Sequence, residues 1–517
     1  MISKRHLQDG APREYDSWSN RFLTLAVAGI LFLTMYPFQV SHAKAHGHAS
    51  VFLLGHGGKI GGAVDVFLNV LLFIPFGFGL GSKIIRRWKS RALALIAAIA
   101  AGALFSYGIE LAQLYIPARD SGWGDVFTNT TGSAIGCIAG LLLGAWLFKV
   151  LWAAQDTLGA WLTPRRLACI LLIYFAAWCA GSVFLGREAN LSDWGTGGSL
   201  LFANDATGRH PWTGHLLQVQ IWDRALSGEM AEKLTQPSGP IQLDDPLVNR
   251  EFSTDVSTQD QKEASAALKG SSANRYAPKN QGEPATASAM PASSVVQSLK
   301  QKNRFSIRAV FVPAEGPRPN GRIVSLSQRS GASDFYLTQE NGDLNFWFRT
   351  GVSGRPGFLN WKIPDALQGE EARSVLLSYN GSTITCYIDG TEIQSHAMGP
   401  GVALASRIRH IKAAELNGYR DIYFAVVFFP AGVLAGIALP MGFWRRVNLT
   451  GILIFAVVVA PLLLEWIVAL GSRGAFSGVD VMRSAVLVVL GFLWIKTDGP
   501  GAGTREAASQ ASAETPL

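Results

Sequence analysis

The sequence predicts an α-helical polytopic membrane protein that carries one extracytoplasmic antiparallel β-sandwich. Two observations support this fold class. Hydrophobic residues make up 49% of the 517 residues and charged residues only 16%, a more apolar composition than a soluble protein of this length usually has. In the middle of the chain the apolar pattern changes from long runs to alternation, which is typical of strands with one buried face.

Eight runs of about 17 or more residues are almost free of charge, and each is long enough to cross a hydrocarbon core of about 30 Å as a helix. They cover residues 22–40, 66–82, 92–115, 126–148, 167–185, 422–441, 449–470 and 479–495. We therefore predict about eight transmembrane helices.

The formal net charge of +8 does not indicate nucleic-acid binding, because the basic residues lie between the apolar runs rather than in one patch. An excess of Lys and Arg is typical of cytoplasmic loops. With the N-terminus in the cytoplasm, the short outer loops hold only Lys44, Lys59, Arg119 and Arg473. We therefore predict a multi-pass protein with both termini cytoplasmic, residues 187–420 extracytoplasmic, the lipid bilayer as partner and no nucleic acid.

The predicted spans divide the chain into six segments. These are a cytoplasmic tail (1–21), a four-helix membrane unit (22–152), a fifth transmembrane helix (166–186), the β-sandwich (187–412), three further transmembrane helices (420–496) and a disordered cytoplasmic tail (497–517). Within the sandwich, residues 258–297 contain almost no large apolar side chain. Such a segment cannot bury enough surface to offset its ordering entropy, so we expect a flexible loop.

Alternating apolar residues predict half-buried strands at 215–223, 305–312, 343–349 and 383–388. The last of these ends at Asp389-Gly390, a strong signal for a two-residue hairpin turn. Short strands separated by such turns favour a β-sandwich.

Trp222 and Trp347 lie on the strand faces opposite the apolar core positions. Aromatic rings on an open face can contact a glycan, so both residues are candidate glycan contacts. The alternative is that the two rings pack against another layer of the protein.

Four blocks between residues 60 and 150 resemble the VanZ family of bacterial membrane proteins. They are Asp65-Val-Phe-Leu-Asn69, Tyr107-Gly-Ile-Glu110-Leu-Ala-Gln113, Arg119 and Asp125-Val-Phe-Thr-Asn129-Thr-Thr-Gly132. The resemblance implies a bacterial inner (plasma) membrane and a role in glycopeptide-antibiotic tolerance or envelope polysaccharide biology. It implies no reaction.

The outer segment is similar to concanavalin A-like (laminin G-like) sandwiches. PWTGHLLQVQIWDRALSGEMAEKL at 211–234 resembles their closing strand and helix, and 305–393 resembles their central strands. The closing block comes first here, which a circular permutation would explain, because sandwich termini often lie close together. The resemblance implies binding of carbohydrate or of an envelope protein.

The later apolar runs resemble a degenerate copy of the earlier ones. Four residues have an identical residue 355 positions later: Pro75 and Pro430, Gly77 and Gly432, Glu110 and Glu465, Asp125 and Asp480. We predict two degenerate four-helix repeats, with the sandwich inserted after the first helix of the second repeat. The alternative is that apolar helices simply resemble one another. We interpret the two prolines as helix kinks whose freed carbonyls face neighbouring helices.

A polar cluster is predicted at the outer rim of the membrane. It consists of Asp65, Asn69, Glu110, Gln113, Arg119, Asp125 and Asn129, with second-copy counterparts Glu465, Arg473 and Asp480. Ionisable side chains in a span are usually paired or functional. In the functional interpretation Arg119 binds the phosphate or sugar headgroup of a lipid. In the structural one the carboxylates cap helices, and Glu110 pairs with Arg119.

No catalytic constellation, cofactor motif or metal-type spacing of Cys and His occurs in the sequence, so we predict no catalytic residue, cofactor or metal site. The preferred hypothesis is a non-enzymatic cell-envelope protein whose sandwich binds a glycan or a protein. The second hypothesis is a membrane enzyme or carrier for a lipid-linked glycan, with Glu110 or Asp125 as general base.

Overall fold

The computed structural model divides into two compact units, which we describe separately. The helical unit contains Met1–Tyr174, Phe424–Pro461 and Met482–Leu517, and the β-rich unit contains Phe175–Tyr423 and Leu462–Val481. The structure describes residues 11–36, 62–116, 121–235, 246–252, 289–314, 321–328, 330–354, 359–369, 371–408, 413–439, 447–472 and 474–496.

The described residues form twelve α-helices. They are α1 (Ala11–Met35), α2 (Ala63–Trp88), α3 (Arg91–Gln113), α4 (Trp123–Trp161), α5 (Pro164–Gly186), α6 (Gly228–Thr235), α7 (Ser293–Lys302), α8 (Pro400–Ile408), α9 (Leu416–Ala438), α10 (Val447–Ile454), α11 (Ala460–Ser472) and α12 (Gly478–Lys496). A π-helical segment, Phe455–Val459, joins α10 to α11.

Eight helical segments in the described part of the chain are long and apolar enough to cross a membrane, which confirms the predicted number of spans. They are Ser17–Met35, Asp65–Trp88, Arg91–Gln113, Trp123–Trp161, Pro164–Ala189, Leu416–Ala438, Thr450–Gly471 and Gly478–Lys496. The fourth differs from its prediction, because α4 has 39 residues and continues to Trp161. At 1.5 Å per residue its length is about 58 Å, well beyond the membrane core of about 30 Å.

Glycines bring α2 and α4 into backbone contact within the helical unit. A Cβ atom on Gly77 would overlap the carbonyl oxygen of Ser133, and one on Gly136 would overlap that of Ile74. Small residues at such positions let membrane helices approach closely. The contact fixes the register of the two first turns, which carry the acidic residues of the predicted cluster.

Helices α9 and α12 repeat these contacts. A Cβ atom on Gly432 would overlap the carbonyl oxygen of Val488, and one on Gly491 would overlap that of Phe429. Each of these four residues lies 355 positions after its counterpart in α2 or α4, and the first residue of α12 lies 355 positions after that of α4. These backbone contacts support the predicted repeat by geometry as well as by residue identity.

A tyrosine satisfies the carbonyl that a proline frees in α9. Pro430 lies inside the helix and has no N–H to donate to the carbonyl of Val426, four residues earlier. The hydroxyl of Tyr174 lies 3.0 Å from the carbonyl oxygens of both Val426 and Val427. The freed carbonyl of α9 therefore faces a donor on a neighbouring helix, as the sequence predicted.

The β-rich unit contains two six-stranded sheets whose described pairings are all antiparallel. The strands are β1 (Ser199–Phe202), β2 (His215–Trp222), β3 (Val248–Glu251), β4 (Ala289–Pro291), β5 (Phe305–Val312), β6 (Gly321–Ser327), β7 (Ser333–Glu340), β8 (Asp343–Phe348), β9 (Trp361–Ile363), β10 (Arg373–Tyr379), β11 (Thr383–Ile388) and β12 (Thr391–Ala397).

Sheet 1 has the order β4-β1-β6-β7-β8-β9 and sheet 2 the order β12-β11-β10-β5-β2-β3. Aromatic side chains join them. The ring centroid of Phe305 in sheet 2 lies 5.4 Å from that of Phe348 and 6.3 Å from that of Phe335, both in sheet 1. The shared core confirms the predicted sandwich. Asp389 and Gly390 have φ values of 50° and 83° and join β11 to β12, which confirms the predicted hairpin.

Two expectations for the sandwich need correction. Strand β8 is buried on both faces rather than on one, because the outward face of sheet 1 is also covered. The predicted flexible loop does not extend to residue 297, because residues 289–297 belong to β4 and α7. Val295, Val296 and Leu299 are buried along one side of α7, and this apolar stripe offsets the ordering entropy. The rest of the predicted loop, 258–288, lies outside the described residues.

Candidate functional site

Glu110 joins the end of α3 to the start of α4. Its side chain is 2% exposed, and its Oε2 accepts a hydrogen bond of 2.8 Å from the backbone N–H of Gly122. Gly122 is the residue that precedes α4. The first N–H groups of a helix have no partner within the helix and carry partial positive charge, so a carboxylate is a fitting acceptor there.

Asp125 and Asn69 connect the first turns of α4 and α2. The amide Nδ2 of Asn69 donates a hydrogen bond of 2.7 Å to Oδ1 of Asp125. Asp65 lies one turn before Asn69 and is exposed. The Asp125 carboxylate lies within electrostatic range of both Asp65 and Glu110. The site thus carries three acidic groups at the start or end of their helices.

Asn129 lies one turn after Asp125 and connects α4 to α3. Its Nδ2 donates a hydrogen bond of 2.9 Å to the hydroxyl of Ser106. The residue is 3% exposed, and its Oδ1 has no hydrogen-bond partner among the described residues. A buried acceptor without a donor costs about 1–3 kcal/mol, so this oxygen is an unusual feature of the site.

The structure brings together five of the seven residues predicted for the first copy, namely Asp65, Asn69, Glu110, Asp125 and Asn129. Gln113 points elsewhere, since its Nε2 donates to the carbonyl oxygen of Thr34 at 2.8 Å. Arg119 and the second-copy Arg473 lie outside the described residues, so the predicted pairing of Glu110 with Arg119 stays a prediction.

Sequence reasoning missed Ser106 and Gly122. Ser106 precedes Glu110 by four residues, so helical spacing alone places both on one face of α3. The role of Gly122 had no side-chain signal, because it contributes only a backbone N–H. No group of three or more His, Cys, Asp or Glu residues in the described chain could hold a metal ion.

The second copy repeats the glutamate contact in the β-rich unit. Oε1 of Glu465 accepts a hydrogen bond of 2.9 Å from the backbone N–H of Ser477, just before α12. Both residues lie 355 positions after Glu110 and Gly122. The hydroxyl of Ser477 also accepts from the N–H of Asp480. The same contact between a glutamate and the backbone N–H before the next helix therefore occurs twice in the chain.

Both candidate glycan contacts are buried in the sandwich. Trp222 is 3% exposed and packs with Leu226, Leu376 and Tyr387. Trp347 is fully buried, and its ring stacks on that of Tyr336 with centroids 5.5 Å apart. The structure thus matches the packing alternative, and neither ring has an open face on which a sugar could stack.

The eight apolar helices, the polar cluster between them and the inserted sandwich define an α-helical membrane protein. Residues 21–151 match the model of the VanZ/LLP1 family, which indicates a membrane protein of the cell envelope. The matched segment is about a quarter of the chain and includes the whole first-copy cluster. No curated protein and no solved structure matches the chain. The concanavalin A-like resemblance of the sandwich is therefore not confirmed by these comparisons.

Proposed function

We propose that the protein is a non-enzymatic platform in the bacterial inner membrane, whose extracytoplasmic sandwich binds a partner in the envelope. In this proposal both termini are cytoplasmic and residues 187–420 face outward. The helices anchor the chain in the membrane, and the binding event takes place outside.

The contact between Glu110 and the Gly122 N–H carries this proposal. A general base must offer its carboxylate to a substrate, whereas this carboxylate is buried and already accepts a backbone hydrogen bond. The equivalent contact of Glu465 occurs in a copy that has Val468 and Ser484 where the first copy has Gln113 and Asn129. A contact that persists without these neighbours fits a structural role better than a catalytic one.

The enzyme-or-carrier hypothesis is tested by replacing Glu110 in a deletion strain complemented with the full-length gene. Glu110→Gln keeps an oxygen that can accept the Gly122 N–H, whereas Glu110→Ala does not. We expect the Glu110→Gln protein to be present in the membrane at the normal level and to restore the wild-type phenotype. We expect the Glu110→Ala protein to be present at a reduced level and not to restore it. A Glu110→Gln protein that is present at normal level but inactive would show that the carboxylate takes part in chemistry.

For the sandwich, a protein partner is favoured over a glycan, because Trp222 and Trp347 have no open ring face. The full chain in lipid nanodiscs should show no saturable binding on a glycan array, and cross-linking in intact cells should capture one predominant envelope protein through the sandwich. Saturable binding to one glycan class would instead support the lectin function that the concanavalin A-like resemblance implies. Glycopeptide susceptibility of the deletion strain then tests the role that the VanZ resemblance implies.

A further inference from the structure

Four polar side chains form a column across α2, α3 and α4 of the helical unit. The column consists of Asn69, Ser106, Asp125 and Asn129. Asn69 donates to Asp125, and Asn129 donates to Ser106. Asp125 and Asn129 lie one turn apart on the same face of α4, so the two hydrogen bonds form successive rungs.

The second copy shows that the helices do not need this column in order to pack. At the equivalent positions it has Phe424, Pro461, Asp480 and Ser484, so the amides of Asn69 and Asn129 and the hydroxyl of Ser106 are all replaced. Yet α9 and α12 make the same backbone contacts as α2 and α4. Since polar groups in a membrane are costly unless they are paired or functional, the first copy keeps its column for another reason.

The column presents acceptor oxygens together with negative charge. Oδ1 of Asn129 is buried without a partner among the described residues, and in the same part of the chain the Asp125 side chain accepts a hydrogen bond from Asn69. Asp65, at the same level in α2, adds a second negative charge. An arrangement of this kind is complementary to a cation that donates several hydrogen bonds, and a primary ammonium has three N–H donors and no acceptor.

The surroundings of the column indicate that the cation belongs to a lipid. Asp65 and Asp125 lie in the first turns of their helices, at the end of each apolar span, where headgroups are found. Phe67 and Phe127 each lie two residues further on and are 63% and 75% exposed. The two rings point away from Asp65 and Asp125 around their helices, and apolar side chains this exposed at the level of a charged site are suited to acyl chains rather than to water.

We propose that the column binds the primary ammonium of an aminophospholipid headgroup, of which phosphatidylethanolamine is the simplest example. The ammonium donates to Asp125 and to Oδ1 of Asn129, while Asp65 contributes charge at the entrance. The site is independent of what the sandwich binds, and it differs from the phosphate site that Arg119 would form.

The test is native mass spectrometry of the purified full chain in detergent micelles doped with phosphatidylethanolamine, phosphatidylcholine or phosphatidylglycerol of identical acyl chains. The unmodified protein should retain phosphatidylethanolamine in preference to phosphatidylcholine, whose quaternary ammonium has no N–H. Asp125→Asn keeps an acceptor for Asn69 but removes the charge, and should lower retention about tenfold or more. Asn129→Ala removes the unpartnered oxygen and should also lower it.

Asp480→Asn in the second copy is the matched control and should leave lipid retention unchanged. Thermal unfolding without added lipid should show that the Asp125→Asn protein is folded. Equal retention of the three lipids, a preference for phosphatidylglycerol, or an equal loss in the Asp480→Asn protein would overturn the proposal. Glycerophosphoethanolamine carries the same headgroup without acyl chains. If it competed with the lipid at equal concentration, the claim that the bound ammonium belongs to a lipid would be wrong.

Discussion

Helices α2 and α4 of the helical unit contact one another through backbone atoms, whereas the two sheets of the β-rich unit contact one another through large side chains. Gly136 lies against the backbone of α2, and Phe305 lies among the rings of sheet 1. In lipid, apolar side chains gain little from helix association, so close backbone packing and polar contacts hold helices together. In water, burial of aromatic rings is itself strongly favourable.

The largest expected effect comes from adding atoms between helices. Gly136→Leu places a side chain where a single Cβ already overlaps the carbonyl oxygen of Ile74. Overpacking costs about 1–3 kcal/mol or more, and with backbone on the opposing side we expect no folded protein by size-exclusion chromatography in detergent. Gly108→Leu is the control, because nothing lies within 4 Å of its Cβ position. Equal tolerance of both variants would refute backbone-limited packing.

Removing atoms should matter most in the sandwich. Phe305→Ala deletes a fully buried ring and should lower the free energy of unfolding by about 3–5 kcal/mol. Ile393→Ala is the control, since Ile393 is 43% exposed and its loss should change stability little. Thermal unfolding of the full chain measures both, and a small effect of Phe305→Ala would remove the contrast between the two units.

The contacts of Glu110 and Glu465 should contribute similarly to the free energy of unfolding. Glu110→Ala and Glu465→Ala each leave a backbone N–H at a helix start without its acceptor, which costs about 1–3 kcal/mol. Glu110→Gln should recover most of the loss. A denaturant or thermal titration in detergent compares the three variants. If only Glu110→Ala destabilises the protein, the two copies would be similar in sequence but the Glu465 contact would not stabilise the fold.

A partly buried histidine makes the sandwich sensitive to acid. Burial lowers the pKa of His396 from its usual 6.5 to about 4, and its Nε2 lies 3.1 Å from Oε1 of Gln394. The unfolded chain therefore binds a proton below pH 6.5 that the folded chain does not, and stability is lost as pH falls from 6.5 towards 4. At pH 5 the loss is about 1–2 kcal/mol.

The His396→Gln variant should lack this part of the pH dependence. The measurement is thermal unfolding of both proteins between pH 7.5 and pH 5. Parallel curves for the two proteins would show that His396 is protonated without cost in the folded state.

The smallest effect concerns the proline in α9. Tyr174→Phe removes the hydroxyl that faces the carbonyl of Val426 and should lower stability by about 0.6 kcal/mol, the average measured for hydrogen bonds between membrane helices. Pro430→Ala supplies the missing N–H, so Tyr174→Phe should cost less in that background. A double-mutant cycle by thermal unfolding gives the coupling free energy between the two substitutions. Strictly additive effects would show that the Tyr174 hydroxyl does not compensate for the proline.

Hydrophobic runs and alternation predicted the eight spans, the sandwich and the Asp389-Gly390 hairpin, because these features depend on local patterns. The constant offset of 355 positions predicted the repeat, and backbone contacts in α9 and α12 support it. Local patterns failed at residues 289–297, where three buried apolar side chains outweigh a polar composition. They also failed at β8, because alternation cannot show that a second layer covers the outward face.

For the candidate site, residue types alone identified five polar side chains that the structure brings together, while their level in the membrane stays a prediction. Only tertiary contacts decided which of these groups have a hydrogen-bond partner. Glu110 accepts from the Gly122 N–H and Asp125 accepts from Asn69, whereas Oδ1 of Asn129 has no partner among the described residues. A hydrogen bond needs two groups at one distance and angle, and only the packing of three helices sets both. Composition and periodicity thus determined the membrane class and the layers, while the folded backbone decided which polar atoms pair with one another.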